Sequence, residues 1–196
     1  QVRIPNPERV YNSYPHQLSG GMQQRVMIAI AICTKPQILI ADEPTTALDV
    51  TTQKEILDLL ELLKKELRVS TILITHNFGI VSEYTNCVAI MYAGEIVEEA
   101  DTKEILLQPL HPYTQALISS LPKIEEKPNR LPVIPGQVPD MLSLPSGCKF
   151  HPRCEKKMAI CSQNEPQLLS VNQHKVTCFL QDESFPRTES LGTKSG

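Results

Sequence analysis

The sequence has 196 residues, 41% hydrophobic and 21% charged, enough for one sizeable core with a small appendage beside it. Its formal charge of -3, from 19 basic and 22 acidic residues without a dense basic run, gives little electrostatic reason to expect a nucleic-acid partner. The longest purely apolar run, residues 26–33, falls far short of the roughly 20 residues that cross a bilayer, so any membrane role is expected to be by docking.

The first ten residues, "QVRIPNPERV", lack the charged start and apolar stretch of a signal peptide, and the absence of an initial methionine leads us to expect a piece of a longer protein. After Pro15, residues 20–34 read as a buried helix stopped by Pro36, with Ser19 as its cap. Ser19, Gly20 and Gly21 bring a hydroxyl and two amides to the positive end of that helix, an arrangement that receives an anion, and Gln23 one turn in offers a further neutral donor. On its own such a stretch is more often an ordinary cap.

The apolar run "ILIA" then forms a short strand that delivers two carboxylates, Asp42 and Glu43, at its carboxyl end. One carboxylate suits a magnesium shell, directly or through water, and the second suits an attacking water. From residue 50 to 67, apolar residues recur at Ile56, Leu59, Leu60, Leu63 and Leu67, the spacing of an amphipathic helix with Asp49 at its cap. "VSTILIT" is β-branched and continuous, as expected of a strand covered on both faces, and His76 follows it. "CVAIM", "YAG" and "EIVEEA" read as a hairpin. Strands alternating with helices give an α/β fold whose ligands lie beyond the carboxyl ends of the strands, where Asp42, Glu43 and His76 fall together.

Residues 103–121 read as two short helices, the second opened by "HPYT" with Pro112 in its first turn. Six of the 16 prolines lie in residues 122–145, an extended connector or strap. Beyond it stand Cys148, Cys154, Cys161 and Cys178, separated by five, six and sixteen residues. Their crowding favours a cytosolic metal site over secreted disulfides, and the spacing alone leaves iron–sulfur and zinc equally open, with disulfides or free thiols less favoured. His151 and His174 stand as possible substitute ligands. The closing "ESLGTKSG" reads as a frayed end.

In this order, "LSGGMQQR", "ILIADEP", "TALD" and "ITHN" closely resemble the signature, Walker B, D-loop and switch-histidine segments of ABC ATPases. The resemblance implies that Asp42 serves the magnesium shell, that Glu43 is the catalytic carboxylate, that His76 contacts the γ-phosphate, and that Ala47 to Asp49 cross between subunits. In that family two ATPase domains face each other head to tail, so Ser19, Gly20, Gly21 and Gln23 would hold ATP carried by a partner subunit. No lysine-bearing Walker A loop is present, so this chain alone is expected neither to bind ATP tightly nor to hydrolyse it. Asn77 stands where importers of this type commonly carry aspartate.

"HPYTQALISSLP", the proline strap and "GCKFHPRC" with its two later cysteines resemble the C-terminal extension of oligopeptide and dipeptide importer ATPases. Some members hold a four-iron, four-sulfur cluster there, and the resemblance makes Cys148, Cys154, Cys161 and Cys178 its ligands, with zinc the alternative. It implies the C-terminal part of an ABC ATPase domain, parallel sheet core plus part of the helical subdomain, in residues 1–100. A helical and proline-rich connector (101–145), an irregular cysteine extension (146–180) and a flexible tail (181–196) follow. It further implies a motor subunit peripheral to the cytoplasmic face of the membrane, with a second ATPase subunit and two permeases as partners and an extracytoplasmic peptide-binding protein as an indirect one. A soluble ABC ATPase acting on nucleic acid or ribosomes, or an importer of nickel or glutathione, is the alternative.

Overall fold

The structure, a computed structural model, describes residues 1–121 and 133–185. The first part of the expected proline strap, 122–132, and the expected tail from residue 186 lie outside the described residues. The chain divides into two compact units, Gln1–Thr85 and the described residues from Asn86 onward.

The first unit runs through helix α1 (Pro7–Tyr11), a 3-10 turn (Pro15–Gln17), α2 (Gly20–Ile32), strand β1 (Ile38–Asp42), α3 (Val50–Leu67), β2 (Ser70–Ile74) and α4 (Phe78–Tyr84). β1 and β2 pair in parallel, from Ile38 opposite Ser70 to Asp42 opposite Ile74. The two helix caps read from the sequence form, Ser19 on α2 and Asp49 on α3, and Asn77 caps α4; each accepts a backbone N–H of the first turn. The apolar stripe of α3 makes the core, with Ile56, Leu59 and Leu63 at 1% exposure or less, packed with Ile28 and Ile32 of α2 and with Leu39 and Ala41 of β1. Full burial of each such side chain contributes about 1.5–3 kcal/mol.

Two expectations change here. α2 ends at Ile32 and is buried on one side only, leaving Met27 and Ile30 exposed, because α3 covers a single face of it. The strands, too, are covered on one face: Leu39 and Ala41 point into the core while Ile38, Ile40, Ile72 and Ile74 are exposed. Their two-sided apolar composition exceeds what this unit covers.

The second unit contains β3 (Cys87–Tyr92), β4 (Glu95–Asp101), α5 (Thr102–Leu107), α6 (Pro112–Ser119), β5 (Leu168–Val171) and β6 (His174–Thr177), with 3-10 turns at His151–Arg153, Ala159–Ser162 and Phe179–Gln181. Its antiparallel sheet has the order β3-β4-β6-β5. The expected hairpin is β3–β4, closed at Ala93-Gly94 with both residues at positive φ, the conformation of a tight turn matched to strand twist. The two expected short helices are α5 and α6, with Pro112 in the first turn of α6. The β5–β6 hairpin was not read from the sequence.

Tyr92, Tyr113 and Phe150 form an aromatic cluster with ring centroids 4.7–5.3 Å apart. It packs the segment between Cys148 and Cys154 onto β3 and α6. Glu98 of β4 is 0% exposed, yet fully partnered. It accepts from the backbone N–H of Leu110 and, at 3.2 Å, of His111, and His174 Nε2 lies 2.7 Å from its Oε1. One carboxylate thus ties β4 to the mouth of α6 and to β6. Among the described residues, no helix is long and apolar enough to cross a membrane.

Candidate functional site

The carboxyl ends of β1 and β2 sit side by side because the parallel register aligns Asp42 with Ile74, and the Glu43 N–H donates to the Ile74 carbonyl at 3.0 Å. Just past that lock, Glu43 takes φ 44°, a left-handed conformation uncommon for a side chain of its size and concentrated at functional sites. Its carboxylate meets His76 from the end of β2, with Nδ1 2.7 Å from Oε1, and Thr46 Oγ1 donates to Oε2 at 2.9 Å. The His76 hydrogen bond, then that of Thr46, holds the Glu43 carboxyl below its ordinary 4.5, so it is ionised and acts as an acceptor. Since the carboxylate only accepts, Nδ1 carries the proton facing it, which leaves Nε2 of the exposed ring open. Asp42, Glu43 and His76 are therefore gathered on one edge. Thr46 was missed in the sequence, although its spacing of three from Glu43 within a turn is a readable signal.

The second group lies at the mouth of α2. Ser19 Oγ accepts from the Met22 N–H at 3.4 Å, and the helix supplies no carbonyl for the amides of Gly20 and Gly21. A Cβ at Gly21 would stand 2.6 Å from Thr52 Cγ2 and force Thr52 to shift, and one at Gly20 would meet Leu48 Cδ2 at 3.0 Å. Thr52 in turn donates its hydroxyl to Asp49 Oδ2 at 2.7 Å, while Asp49 Oδ1 caps the Thr51 and Thr52 amides. The Thr52 hydroxyl bond first, and its amide second, hold the Asp49 carboxyl below its ordinary 3.8. Thr52, unremarked in the sequence, so joins the glycine mouth to residues 47–49. Gln23, the expected neutral donor, gives its side-chain amide to the Pro15 and Leu18 carbonyls at 2.9 and 3.1 Å, holding the preceding turn onto α2. A mostly apolar groove of about 770 Å³ along α1 and α2, lined by Val10, Met27 and Ile30 among others, contains neither Glu43 nor His76.

In the second unit, Cys148, Cys154, Cys161 and Cys178 line one small cavity with His111, Phe150 and His151. No cysteine is in a disulfide. The Cys148 N–H donates to the Cys161 carbonyl at 2.8 Å, and Gly147 at φ 65° lets that carbonyl approach where any Cβ would collide. Burial raises the Cys148 and Cys154 thiols above their ordinary 9.0 and pushes Cys178 up to about 12, so they hold their protons unless a cation supplies charge. Four unpaired thiols around one cavity fit a thiolate-bound iron–sulfur or zinc group in donor chemistry. In geometry they are not drawn together: among the described residues no group of three or more His, Cys, Asp or Glu side chains stands placed to hold a metal ion.

His151 shares the cavity, its Nδ1 2.9 Å from the Cys148 carbonyl. His174 bonds Glu98 through Nε2 and is not among the residues that line the cysteine cavity. His111, not singled out in the sequence as a functional residue, is buried there, and desolvation lowers its pKa to about 4.

Residues 1–46 match the ABC transporter family, and residues 97–161 match the oligopeptide/dipeptide transporter, C-terminal region. The chain is 52% identical over 177 residues to the dipeptide transport ATP-binding protein DppD of Haemophilus influenzae, covering 90% of this chain and 54% of that protein. It is 49% identical over 183 residues to the oligopeptide transport ATP-binding protein AppD of Bacillus subtilis, covering 93% and 56%. The chain therefore spans about half the length of the curated relatives it matches. A solved dimeric structure of the ATP-binding cassette MJ0796 bound to ADP and Pi aligns with a TM-score of 0.45 and 35% identity, over 52% of this chain and 42% of that one.

Proposed function

Because the chain belongs to the ATP-binding proteins of oligopeptide and dipeptide ABC transporters, we propose that the whole protein is the ATP-hydrolysing motor of a peptide importer. The observation that carries this reading is the Glu43–His76–Thr46 cluster at the strand ends. In it, Glu43 accepts a proton from an attacking water, which raises the water's nucleophilicity as the phosphoryl bond breaks. His76 and Thr46 hold that carboxylate in one orientation, and the open face of His76 meets the γ-phosphate. Asp42 would help to hold a magnesium ion, which would offset charge on the phosphate oxygens.

Ser19, Gly20 and Gly21 receive the γ-phosphate of ATP bound mainly by a second ATPase subunit, through amides at the positive helix end. A Cβ at Gly20 would meet Leu48 and one at Gly21 would meet Thr52, which bonds Asp49, so the helix mouth lies close against the intersubunit loop. The phosphate loop with its lysine belongs to an upstream segment of the whole protein. Two membrane permeases receive the motion at the cytoplasmic face, and a peptide-binding protein supplies cargo on the other side.

We propose also that residues 1–100, 101–145, 146–180 and 181–196 serve as ATPase segment, connector, cysteine extension and tail. Cys148, Cys154, Cys161 and Cys178 would hold a four-iron, four-sulfur cluster, with zinc the alternative; the shared cavity and the absence of disulfides support this. Such a group supplies a covalent-strength cross-link among segments that carry little apolar surface. Affinity purification of the full-length protein from its native membrane tests the transport reading. Recovery of two permeases and a second ATPase, with ATP turnover, is expected; recovery of ribosomes or DNA instead would overturn it.

A further inference from the structure

The two groups that hold the Glu43 carboxylate differ in how firmly each is itself placed. His76 reaches Oε1 from beyond the end of β2 by a single 2.7 Å contact, and its side chain is 84% exposed. Thr46 lies in the same turn as Glu43 and holds it twice: its N–H donates to the Glu43 carbonyl at 3.1 Å and its hydroxyl to Oε2 at 2.9 Å. That turn is fixed at both ends. On one side the Glu43 N–H is locked to the Ile74 carbonyl; on the other the Leu48 N–H donates to the Thr45 carbonyl at 3.3 Å and Asp49 caps α3. Pro44 and Thr45 are buried between them, while Thr46 is exposed, so its hydroxyl serves the carboxylate from outside the core. A long carboxylate loses rotamer freedom when it is held, and a donor on a turn that is already ordered holds it at little further entropic cost.

We infer that Thr46 is the dedicated positioning residue of the reacting carboxylate, its hydroxyl keeping Glu43 aimed whether or not the His76 ring is engaged with phosphate. This rests on the reading of Glu43 as the base. The two donors sit on different oxygens, so the bond to Oε2 stands without the one to Oε1. Thr46 acts through Glu43 alone. Its loss should therefore appear in the hydrolysis step and leave ATP binding as it was.

The test is ATP affinity and single-turnover hydrolysis in the assembled full-length complex, for wild type, Thr46→Val, Thr46→Ser and Glu43→Gln. Valine keeps the branched shape and loses the donor, whereas serine keeps the donor and loses the methyl. Thr46→Val is expected to bind ATP as wild type does and to hydrolyse it about 10- to 100-fold more slowly, the cost of a misaimed group. Thr46→Ser is expected to recover most of the rate. In a His76→Ala background, Thr46→Val should cost a similar factor again; no further loss there would show that the two holders act only as a unit and would overturn the inference. Equal losses in the valine and serine variants, or a loss confined to ATP affinity, would also overturn it. A wild-type rate in Thr46→Val beside a slow Glu43→Gln would remove the role of Thr46 and leave the base standing. A wild-type rate in Glu43→Gln would remove the base, and this inference with it.

Discussion

Replacing Glu98 by alanine should detach β6 and the start of α6 from β4. The carboxylate is 0% exposed and takes three bonds, from the Leu110 and His111 amides and from the His174 ring. Alanine leaves those buried donors without a partner, each costing about 1–3 kcal/mol, and opens a cavity as well. Partial relaxation brings the net to about 3–5 kcal/mol, the range for breaking a buried pair from one side.

Hydrogen exchange of the β6 amides in the full-length protein reads this locally: protection should fall about a hundredfold or more, since 1.4 kcal/mol is a factor of ten. Glu99, the next residue, is the control. It bonds Lys175 at 2.8 Å on the same two strands but at the surface, where ion pairs contribute little, so Glu99→Ala should leave β6 protection nearly unchanged. Equal protection losses in the two variants would refute the claim that Glu98 organises this unit.

Gly21→Ala would place a methyl against Thr52 Cγ2 and should destabilise the first unit by about 1–3 kcal/mol in urea unfolding, despite alanine's better helix propensity. Thr52→Ser, which removes the methyl and keeps the hydroxyl on Asp49, should restore most of it. Asp49 has a folded pKa below its ordinary 3.8, so its contribution to α3 is present above pH 3.8 and is lost as pH falls through the lowered value. Acid titration followed by amide exchange in α3 should show that loss, and Asp49→Asn, an uncharged cap, should weaken its pH dependence. Gly147→Ala should expose the 148–161 loop to proteolysis, because its Cβ would strike the Cys161 carbonyl and its φ of 65° disfavours a side chain. An intact loop in that variant would show that the close approach is dispensable.

What could be read from the sequence was what neighbours within a turn decide. Ser19, Asp49 and Asn77 cap helices by contacts two or three residues away, and the stripe from Ile56 to Leu63 repeats within α3 itself. The edge that gathers Glu43 and His76 followed from a general rule about strand ends. Contacts over long separations were not legible. Nothing in "EIVEEAD" marks Glu98 as the glutamate that turns inward, since its partners lie 12 to 76 residues away. Nothing in the sequence marks the Pro15 and Leu18 carbonyls as partners of the Gln23 amide. The two-sided apolar strands predicted more covering than the first unit provides. The β5–β6 hairpin carried a usable signal, Asn172 and Gln173 at its turn between alternating residues, which went unread.

The central claim is that Glu43 activates water for ATP hydrolysis in the assembled motor. Single-turnover hydrolysis of bound ATP by the full-length complex, compared between wild type and Glu43→Gln, tests it directly. Glutamine keeps an acceptor near Thr46 and His76 but cannot take a proton, so the account predicts ATP bound with unchanged stoichiometry and hydrolysis slowed by about 10²–10⁴-fold. Hydrolysis at the wild-type rate in Glu43→Gln would contradict it.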